Sequence, residues 1–162
     1  MIRDAAADRQ HTVGMAFTPT TQQQRLLELV SHGRNGVLVT LKRDGRPQLS
    51  NISYHYDPAA AVARISVTAD RAKTRNLQRD PRASLHVSSP DFWSWTVLDG
   101  TATLSEVATA PGDAAADELV ELYRQVNGEH PDWDEYRAAM VTDRRQVVRL
   151  AVTHVYGQVP AS

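Results

Sequence analysis

The chain has 162 residues, a formal net charge of −1 at pH 7 and no cysteine. This length fits one domain of ordinary size, which can bury a core without cross-links. The absence of cysteine excludes a disulfide framework, a thiolate nucleophile and a Cys-ligated metal site. The balanced charge gives no global attraction to nucleic acid or to an anionic membrane. The longest apolar stretches, such as residues 37–39, are far too short to span a bilayer. Because a chain without cysteine fits a reducing compartment, we expect a cytoplasmic protein.

Two regions are expected along the chain. Residues 1–18 are polar and Ala-rich and lack the apolar block of a signal peptide. We therefore predict a disordered tail there, followed by a single domain over residues 19–160. The domain begins with a helix that Thr20 or Thr21 can cap and that ends at Gly33. Its apolar positions are Leu26, Leu27, Leu29 and Val30.

Three strands are predicted after this helix. The first covers residues 37–42, and the Asp44-Gly45 pair that follows it is a strong hairpin signal. The return strand runs from residue 46 to 56 and ends before Asp57-Pro58. The third strand covers residues 62–68, because apolar and polar residues alternate there and β-branched types are frequent.

A dense cluster of positive charge follows the third strand. Five of the twelve residues from 71 to 82 are basic. The segment is predicted to form a short helix that is capped by Asp70 and ended by Asp80-Pro81. Arg71 and Lys73 then fall in the first helical turn, where each cation costs about 0.3–1 kcal/mol unless something compensates.

An anion bound at this turn would compensate the unfavourable charge. Free backbone N–H groups, the Thr74 hydroxyl and the side chains of Arg71 and Lys73 could converge on one phosphate. The sequence therefore predicts a phosphate site, with a solvated basic face on a short helix as the alternative interpretation.

The next two predicted elements are strands. One covers residues 83–88 and the other covers residues 92–104. By the alternation of a strand, Trp93 and Trp95 would share one face of the longer strand. Asp99-Gly100 lies inside it and indicates a bulge rather than an end.

Two helices and a last strand complete the predicted order. Pro111-Gly112-Asp113 begins the first helix and Asn127-Gly128 ends it, while Pro131-Asp132 begins the second. The final strand covers residues 146–156. About six strands joined mostly by hairpins predict a mainly β (α+β) fold with an antiparallel sheet. Closure into a small barrel flanked by the helices would remove its exposed edges.

No side chain stands out as a catalytic acid, base or nucleophile. The six histidines lack metal-ligand spacing, and the sequence has neither a nucleophile elbow nor a Gly-rich phosphate loop. If the chain is an enzyme, a cofactor therefore carries the reaction. Gln48, Ser50 and Asn51 form a polar stretch that fits either a ligand groove or an ordinary solvent-facing strand. Trp93 and Trp95 fit either the core or a ligand platform.

Two stretches of the chain together resemble a known family. Residues 36–51 read GVLVTLKRDGRPQLSN, and residues 71–84 read RAKTRNLQRDPRAS. They closely resemble the actinobacterial branch of the pyridoxamine 5′-phosphate oxidase-like proteins that depends on the deazaflavin coenzyme F420. Matching motifs near the end, among them residues 140–145 (MVTDRR) and 154–157 (HVYG), extend the resemblance to roughly residues 20–158.

This resemblance implies a six-stranded split β-barrel of the FMN-binding type. It also implies a homodimer with two cofactor sites at the subunit interface. From the histidine spacing we expect no metal site. The cofactor phosphate and tail would be held by the helix-start residues, the ring would lie against residues 48–51, and the partner subunit would supply the tryptophans. The predicted cofactor-binding residues are Gln48, Ser50, Asn51, Ser66, Arg71, Lys73, Thr74, Trp93 and Trp95.

Three functions are compatible with these features. The first is an F420H2-dependent reductase that transfers a hydride to an unsaturated or conjugated small molecule. F420 is preferred over FMN because Arg75 and Arg79 add cations for an oligoglutamate tail, whereas FMN carries one terminal phosphate. The others are a non-catalytic F420-binding carrier and an FMN-dependent enzyme of the pyridoxamine-phosphate oxidase type.

Overall fold

A computed structural model describes residues 17–160. Of the predicted tail, residues 1–16 lie outside the described residues, and Phe17 packs against the core. The described part forms eleven elements in chain order: α1 Thr21–His32, β1 Asn35–Leu41, β2 Pro47–Ser53, β3 His55–Asp57, β4 Val62–Thr68, α2 Ala72–Arg79, β5 Arg82–Ser88, β6 Trp95–Leu104, α3 Ala114–Asn127, α4 Trp133–Thr142 and β7 Arg145–Gln158.

All seven of these strands belong to one antiparallel sheet with the order β2-β1-β5-β6-β7-β4-β3. The two ends of the sheet, β2 and β3, are consecutive in the chain and are separated only by Tyr54. The sheet therefore curves back on itself as a half-barrel. This confirms the predicted mainly β, antiparallel architecture with flanking helices.

The prediction of six strands is wrong, because the expected strand over residues 46–56 is two strands. The break falls at Tyr54, whose side chain is almost fully buried. Its hydroxyl donates to the Val30 carbonyl (2.8 Å), and its backbone N–H donates to the Arg34 carbonyl (2.8 Å). The chain thus leaves β1 at this residue and pairs with β4. The sequence does not reveal that the pairing strand changes at Tyr54, because residue types that favour strands occur on both sides of it.

The predicted strand over residues 92–104 begins three residues later, at Trp95. Residues before it form a turn in which Phe92 has a positive φ of 64°. The Ser89 hydroxyl and the Asp91 carboxylate hold this turn through bonds to its backbone. Trp93 therefore lies in the turn with 71% of its surface exposed, and the prediction that it shares a strand face with Trp95 is wrong.

Two apolar clusters stabilise the described fold. The larger lies inside the half-barrel, where α1 inserts Leu26, Leu27 and Val30 among the inward-facing strand residues. Of the two predicted caps, Thr20 is the one observed at the start of α1, and it forms a capping box with Gln23. The smaller cluster joins α3 and α4 to β7. The helix pair is thereby fixed over one side of the sheet, and this arrangement creates the space described below.

The predicted bulge in β6 is confirmed between Asp99 and Gly100. A Cβ atom added to Gly100 would lie 2.1 Å from the Ala151 carbonyl oxygen, closer than any side chain can approach a backbone. Only glycine therefore lets β6 and β7 pair at this point.

Gly100→Ala is expected to destabilise the protein by at least about 2 kcal/mol, because the backbone of β6 or β7 must move. Gly112→Ala is the matched control, since a Cβ atom there meets no atom within 4 Å. Denaturant unfolding should show the loss for the first variant and no loss for the second. Equal stability of both variants would contradict the proposed close approach.

Candidate functional site

The basic helix α2 begins one residue later than predicted. Its N-cap is Arg71, which makes no side-chain capping hydrogen bond, so the assignment of Asp70 as the cap is wrong. A capping side chain must reach the N–H groups of the second or third helical residue, and Asp70 is one position too early in the chain. The first-turn N–H groups of α2 therefore have no side-chain cap.

Thr74 is completely buried, and its hydroxyl donates to the Thr68 carbonyl at the end of β4 (2.8 Å). This bond ties the first turn of α2 to the preceding strand. Asn76 is also buried, and its amide donates to Thr40 Oγ1 (3.1 Å) and to Gln48 Oε1 (3.4 Å). Two predicted site residues, Thr74 and Gln48, therefore take part in hydrogen bonds that fix α2 on the sheet.

A cavity of about 430 Å³ lies between the sheet and the α3–α4 pair, and we call it the lysine cavity. It brings together three predicted site residues: Asn51 from β2, Ser66 from β4 and Lys73 from α2. Its full lining is Asn51, Ile52, Ser53, Ser66, Lys73, Leu122, Tyr123, Val126, Asn127, Tyr136, Met140 and Arg145. Two of these residues are cations and none is an acid, so the lining favours an anionic ligand.

Arg71 lines a neighbouring cavity of about 540 Å³, together with Thr68, Asp70, Asp143 and Arg145. The predicted pair of cations is thus divided between two adjacent spaces. Arg145 lines both of them. It is close to the start of α2 because β7 pairs with β4 in a register that places Arg145 opposite Thr68.

The cations Arg71, Lys73 and Arg145 repel one another, and this repulsion affects the pKa of Lys73. Burial lowers the pKa of Lys73 from its ordinary value, and the positive charges of Arg71 and Arg145 lower it further. Without a ligand, the charged form of Lys73 is therefore less favourable in the folded protein than in the unfolded chain. A bound anion would reverse this effect.

One wall of the lysine cavity is aromatic. Tyr123 and Tyr136, from α3 and α4, have ring centroids 4.9 Å apart. The Tyr136 hydroxyl donates to the Leu119 carbonyl (3.2 Å), and burial raises the pKa of Tyr136 to about 12. Tyr136 thus retains its proton at neutral pH and offers an apolar ring face to the cavity.

The remaining predicted residues lie elsewhere. Ser50 lines neither of the two cavities, and Gln48 lines a groove on the far side of α2. Trp95 contacts the rings of His86 and Tyr156, with centroids 6.3 and 6.0 Å away. Neither Trp95 nor the exposed Trp93 lines the lysine cavity.

Arg145, Tyr123 and Tyr136 were not among the predicted site residues. Arg145 follows a run of polar residues at the start of the last strand, and this position gives no hint that β7 pairs with β4. The tyrosines were placed on apolar helix faces and belong to the motifs of the family resemblance, but no ligand contact was predicted for them. Only the strand order and the position of the helix pair bring these residues together.

Within residues 17–160 no cluster of three or more His, Asp or Glu side chains is arranged to hold a metal ion. In the same part of the chain, no helix has the length and apolar character needed to cross a membrane.

The chain belongs to the pyridoxamine 5′-phosphate oxidase family, whose model matches residues 22–159. It is 28% identical over 145 residues to the F420H2-dependent biliverdin reductase of Mycobacterium tuberculosis (strain CDC 1551 / Oshkosh), covering 90% of this chain and 94% of that protein. The predicted resemblance to the F420-dependent branch of the family is thereby confirmed.

Solved structures support the same fold. An F420 reductase superposes with a TM-score of 0.61 at 21% identity, over 86% of this chain and 98% of its own. A heme-binding protein from Mycobacterium smegmatis superposes with a TM-score of 0.64 at 20% identity, over 87% of this chain and 55% of its own. Because this one fold occurs in proteins named for different ligands, the ligand of this chain must be inferred from its own residues.

Lys73→Met is expected to raise the thermal stability of the ligand-free protein at pH 7, because it removes a partly buried cation held among other cations. The gain should shrink as the pH rises towards 10.5, since wild-type Lys73, with its lowered pKa, loses its proton in the folded state first. Thermal unfolding of both proteins across this pH range measures the difference.

Lys42→Met is the matched control, because Lys42 is exposed and is the only other lysine of the chain. We expect it to change stability by no more than about 0.5 kcal/mol. A loss of stability in Lys73→Met at neutral pH would show that Lys73 supports the fold rather than a ligand.

Proposed function

We propose that this protein is an F420H2-dependent reductase that transfers a hydride to an unsaturated or conjugated small molecule. The observation that carries this proposal is the lysine cavity, which is lined by cations and hydrogen-bonding groups but by no acid. A unit charge pair at about 4 Å contributes up to about 4 kcal/mol at an effective dielectric near 20, before desolvation. Two such pairs are comparable with the roughly 8 kcal/mol of micromolar binding.

The groove on the far side of α2 supports F420 rather than FMN. This groove of about 630 Å³ is lined by Lys42, Arg43, Arg75 and Arg79, and no acid lines it. Arg79 donates to the Leu41 carbonyl and to Asn76 Oδ1, so its charge is anchored at the groove. Four cations in one groove suit an oligoglutamate tail, which carries several negative charges. The single phosphate of FMN would leave most of them without an anion.

The proposed division of labour follows from the lining of the lysine cavity. When bound, reduced F420 would supply the hydride. The chain would bind the anionic part, orient the ring beside Asn51 and Ser66, and shield one side of the ring from water with the aromatic wall. No Asp, Glu or His lines the lysine cavity, and Tyr136 holds its proton in a bond to Leu119. The proton that completes the reduction would therefore come from solvent.

We also propose a homodimer, because the described surface exposes several large apolar side chains. Leu49, Phe92, Trp93 and Tyr156 are 63%, 78%, 71% and 44% exposed. Such exposure is typical of an interaction surface. Phe92 lines a further cavity that shares residues 51–53 with the lysine cavity. A partner seated on this face would therefore border the cofactor site, in agreement with the prediction that its tryptophans complete that site.

Two other functions are distinguished from the reductase by the experiments described below. A cavity lining without Asp, Glu or His also suits a non-catalytic F420 carrier. The family model, which is that of pyridoxamine 5′-phosphate oxidase, favours an FMN-dependent enzyme as the third possibility. The cytoplasmic location stays a prediction.

Titration of the purified protein with F420 and with FMN, followed by ligand fluorescence, tests the proposal. We expect F420 to bind with micromolar or better affinity and more tightly than FMN. Lys73→Met should weaken F420 binding at least tenfold, about 1.4 kcal/mol. Arg34→Ala is the control, because it removes an exposed cation just before β1, at the end of that strand away from α2. Preferential binding of FMN would contradict the proposed cofactor.

Turnover is then followed as F420H2 oxidation against a panel of unsaturated and conjugated acceptors. Consumption of an acceptor at a rate that depends on the protein would support the reductase. Tight F420 binding with no acceptor consumed would support the carrier instead.

The double variant Leu49→Glu, Trp93→Glu is expected to be monomeric and to lose F420 affinity with the dimer, because charges on this face oppose its burial. Analytical ultracentrifugation with and without F420 measures both effects. Ala59→Glu, Ala60→Glu is the control pair on an exposed turn of the opposite sheet end. A wild-type monomer that binds F420 fully would contradict the proposed dimer.

A further inference from the structure

The start of α4 is joined to α3 by a set of contacts outside the apolar core. Met140 is the buried residue of α4, and it lies near the end of that helix. Near the start, the Trp133 indole N–H donates to Glu129 Oε2 (3.1 Å), and Arg124 Nε of α3 donates to Glu129 Oε1 (3.1 Å). Residues of the connection between the two helices therefore determine where α4 begins relative to α3.

His130 lies at the centre of this connection. Its ring centroid is 5.3 Å from that of Tyr123, 5.4 Å from that of Tyr136 and 5.7 Å from that of Trp133. Tyr123 and Tyr136 form the aromatic wall of the lysine cavity, whereas His130 does not line that cavity. The imidazole thus packs between α3 and α4 against the two tyrosines of the wall without reaching the space for the ligand.

The imidazole of His130 also accepts a hydrogen bond. Its Nδ1 accepts from the backbone N–H of Asp132 (3.0 Å), and Asp132 caps α4 by accepting from the Glu135 N–H (2.9 Å). A ring nitrogen accepts only while it carries no proton, so this bond requires a neutral imidazole with its proton on Nε2. A second proton, on Nδ1, would place two donors against each other and break the bond.

The titratable and charged groups on the elements packed around His130 come from α3, from the connection and from α4. They are Tyr123, Arg124, Glu129, Asp132, Asp134, Glu135 and Tyr136. Arg124 and Glu129 pair with each other, and the Arg124 guanidinium lies 4.7 Å above the Trp133 ring. Asp134 and Glu135 are exposed, so solvent screens their charges. The bond from the Asp132 N–H therefore favours the neutral form of His130.

We propose that His130 is a positioning residue of the cofactor site. In its neutral form it fixes the start of α4 and, through Tyr123 and Tyr136, the aromatic wall that shields the deazaflavin ring. This inference rests on the proposed function and adds a pH dependence to it. Protonation of His130 releases the Asp132 N–H and the first turn of α4, so the wall loses its fixed position and F420 binds more weakly in acid.

Two variants separate the ring of His130 from its hydrogen bond. Asparagine has a side-chain oxygen that accepts from the N–H two residues further on, and it does not titrate. Phenylalanine keeps a ring but offers no acceptor. At pH 7.5 we expect His130→Asn to bind F420 within about threefold of the wild type, and His130→Phe to bind it about fivefold more weakly. Equal affinities of the two variants would overturn the proposal.

The pH profile of F420 binding tests the protonation itself, over the range from about pH 5 to 8 in which histidines titrate. On acidification the wild type should lose about fivefold more affinity than His130→Asn. The ligand and the other histidines titrate alike in both proteins, so the difference isolates His130. His32→Asn, which replaces an exposed histidine of α1, is the control and should follow the wild type. A purely structural role predicts parallel profiles for the wild type and His130→Asn, and that result would refute the proposal.

NMR of the ligand-free protein provides a measurement that does not depend on F420. Trp133 is one of three tryptophans, so its indole N–H signal is assigned by its loss in Trp133→Phe. This signal should shift with pH in the wild type and stay fixed in His130→Asn; a signal that behaves alike in both would contradict the proposal.

The NMR and binding results together separate the two proposals. A shift seen only in the wild type would support the control of α4 by His130 even if F420 fails to bind, in which case the proposed cofactor alone is wrong. If F420 binds the wild type and both His130 variants equally well at every pH, the proposed function survives and the role of His130 is refuted.

Discussion

Repulsion among three cations that the fold holds close together is the constraint on which the site depends. Arg71, Lys73 and Arg145 come from the start of α2 and the start of β7, and the mutual effect is seen in the lowered pKa of Lys73. Like charges gathered beside an uncapped helix start cost stability in the absence of a ligand. Such a cost is typical of a site that binds an anion, because the anion converts each repulsion into an attraction.

The sheet order explains why the three cations cannot move apart to relieve their repulsion. β4 ends at Thr68, α2 starts at Ala72, and Thr68 is paired with Arg145 across the β4–β7 ladder. Thr74 and Asn76 then fix α2 through buried hydrogen bonds to Thr68 and Thr40. The residues that hold the helix in place thus differ from the residues that line the lysine cavity.

Sequence reasoning predicted those parts of the fold that depend on local signals. The Thr20 cap, the bulge at Gly100 and the helix that begins after Asp113 were predicted correctly, since each is determined by residues within a few positions. Two errors were local, namely the Asp70 cap and the turn that precedes β6. The other errors arose where contacts between distant parts of the chain decide the structure. The switch of partner at Tyr54 depends on Val30, and the position of Arg145 in the site depends on strand pairing. The charge cluster at α2 was visible in the sequence, but its division between two cavities was not.

A crystal structure of the protein with F420 would examine the central claim most directly. We expect the cofactor phosphate in the lysine cavity, with oxygens about 2.7–2.9 Å from nitrogen atoms of Lys73 and Arg145, as in charge-assisted hydrogen bonds. A structure in which F420 is well ordered elsewhere, while Lys73 and Arg145 contact only solvent, would contradict it.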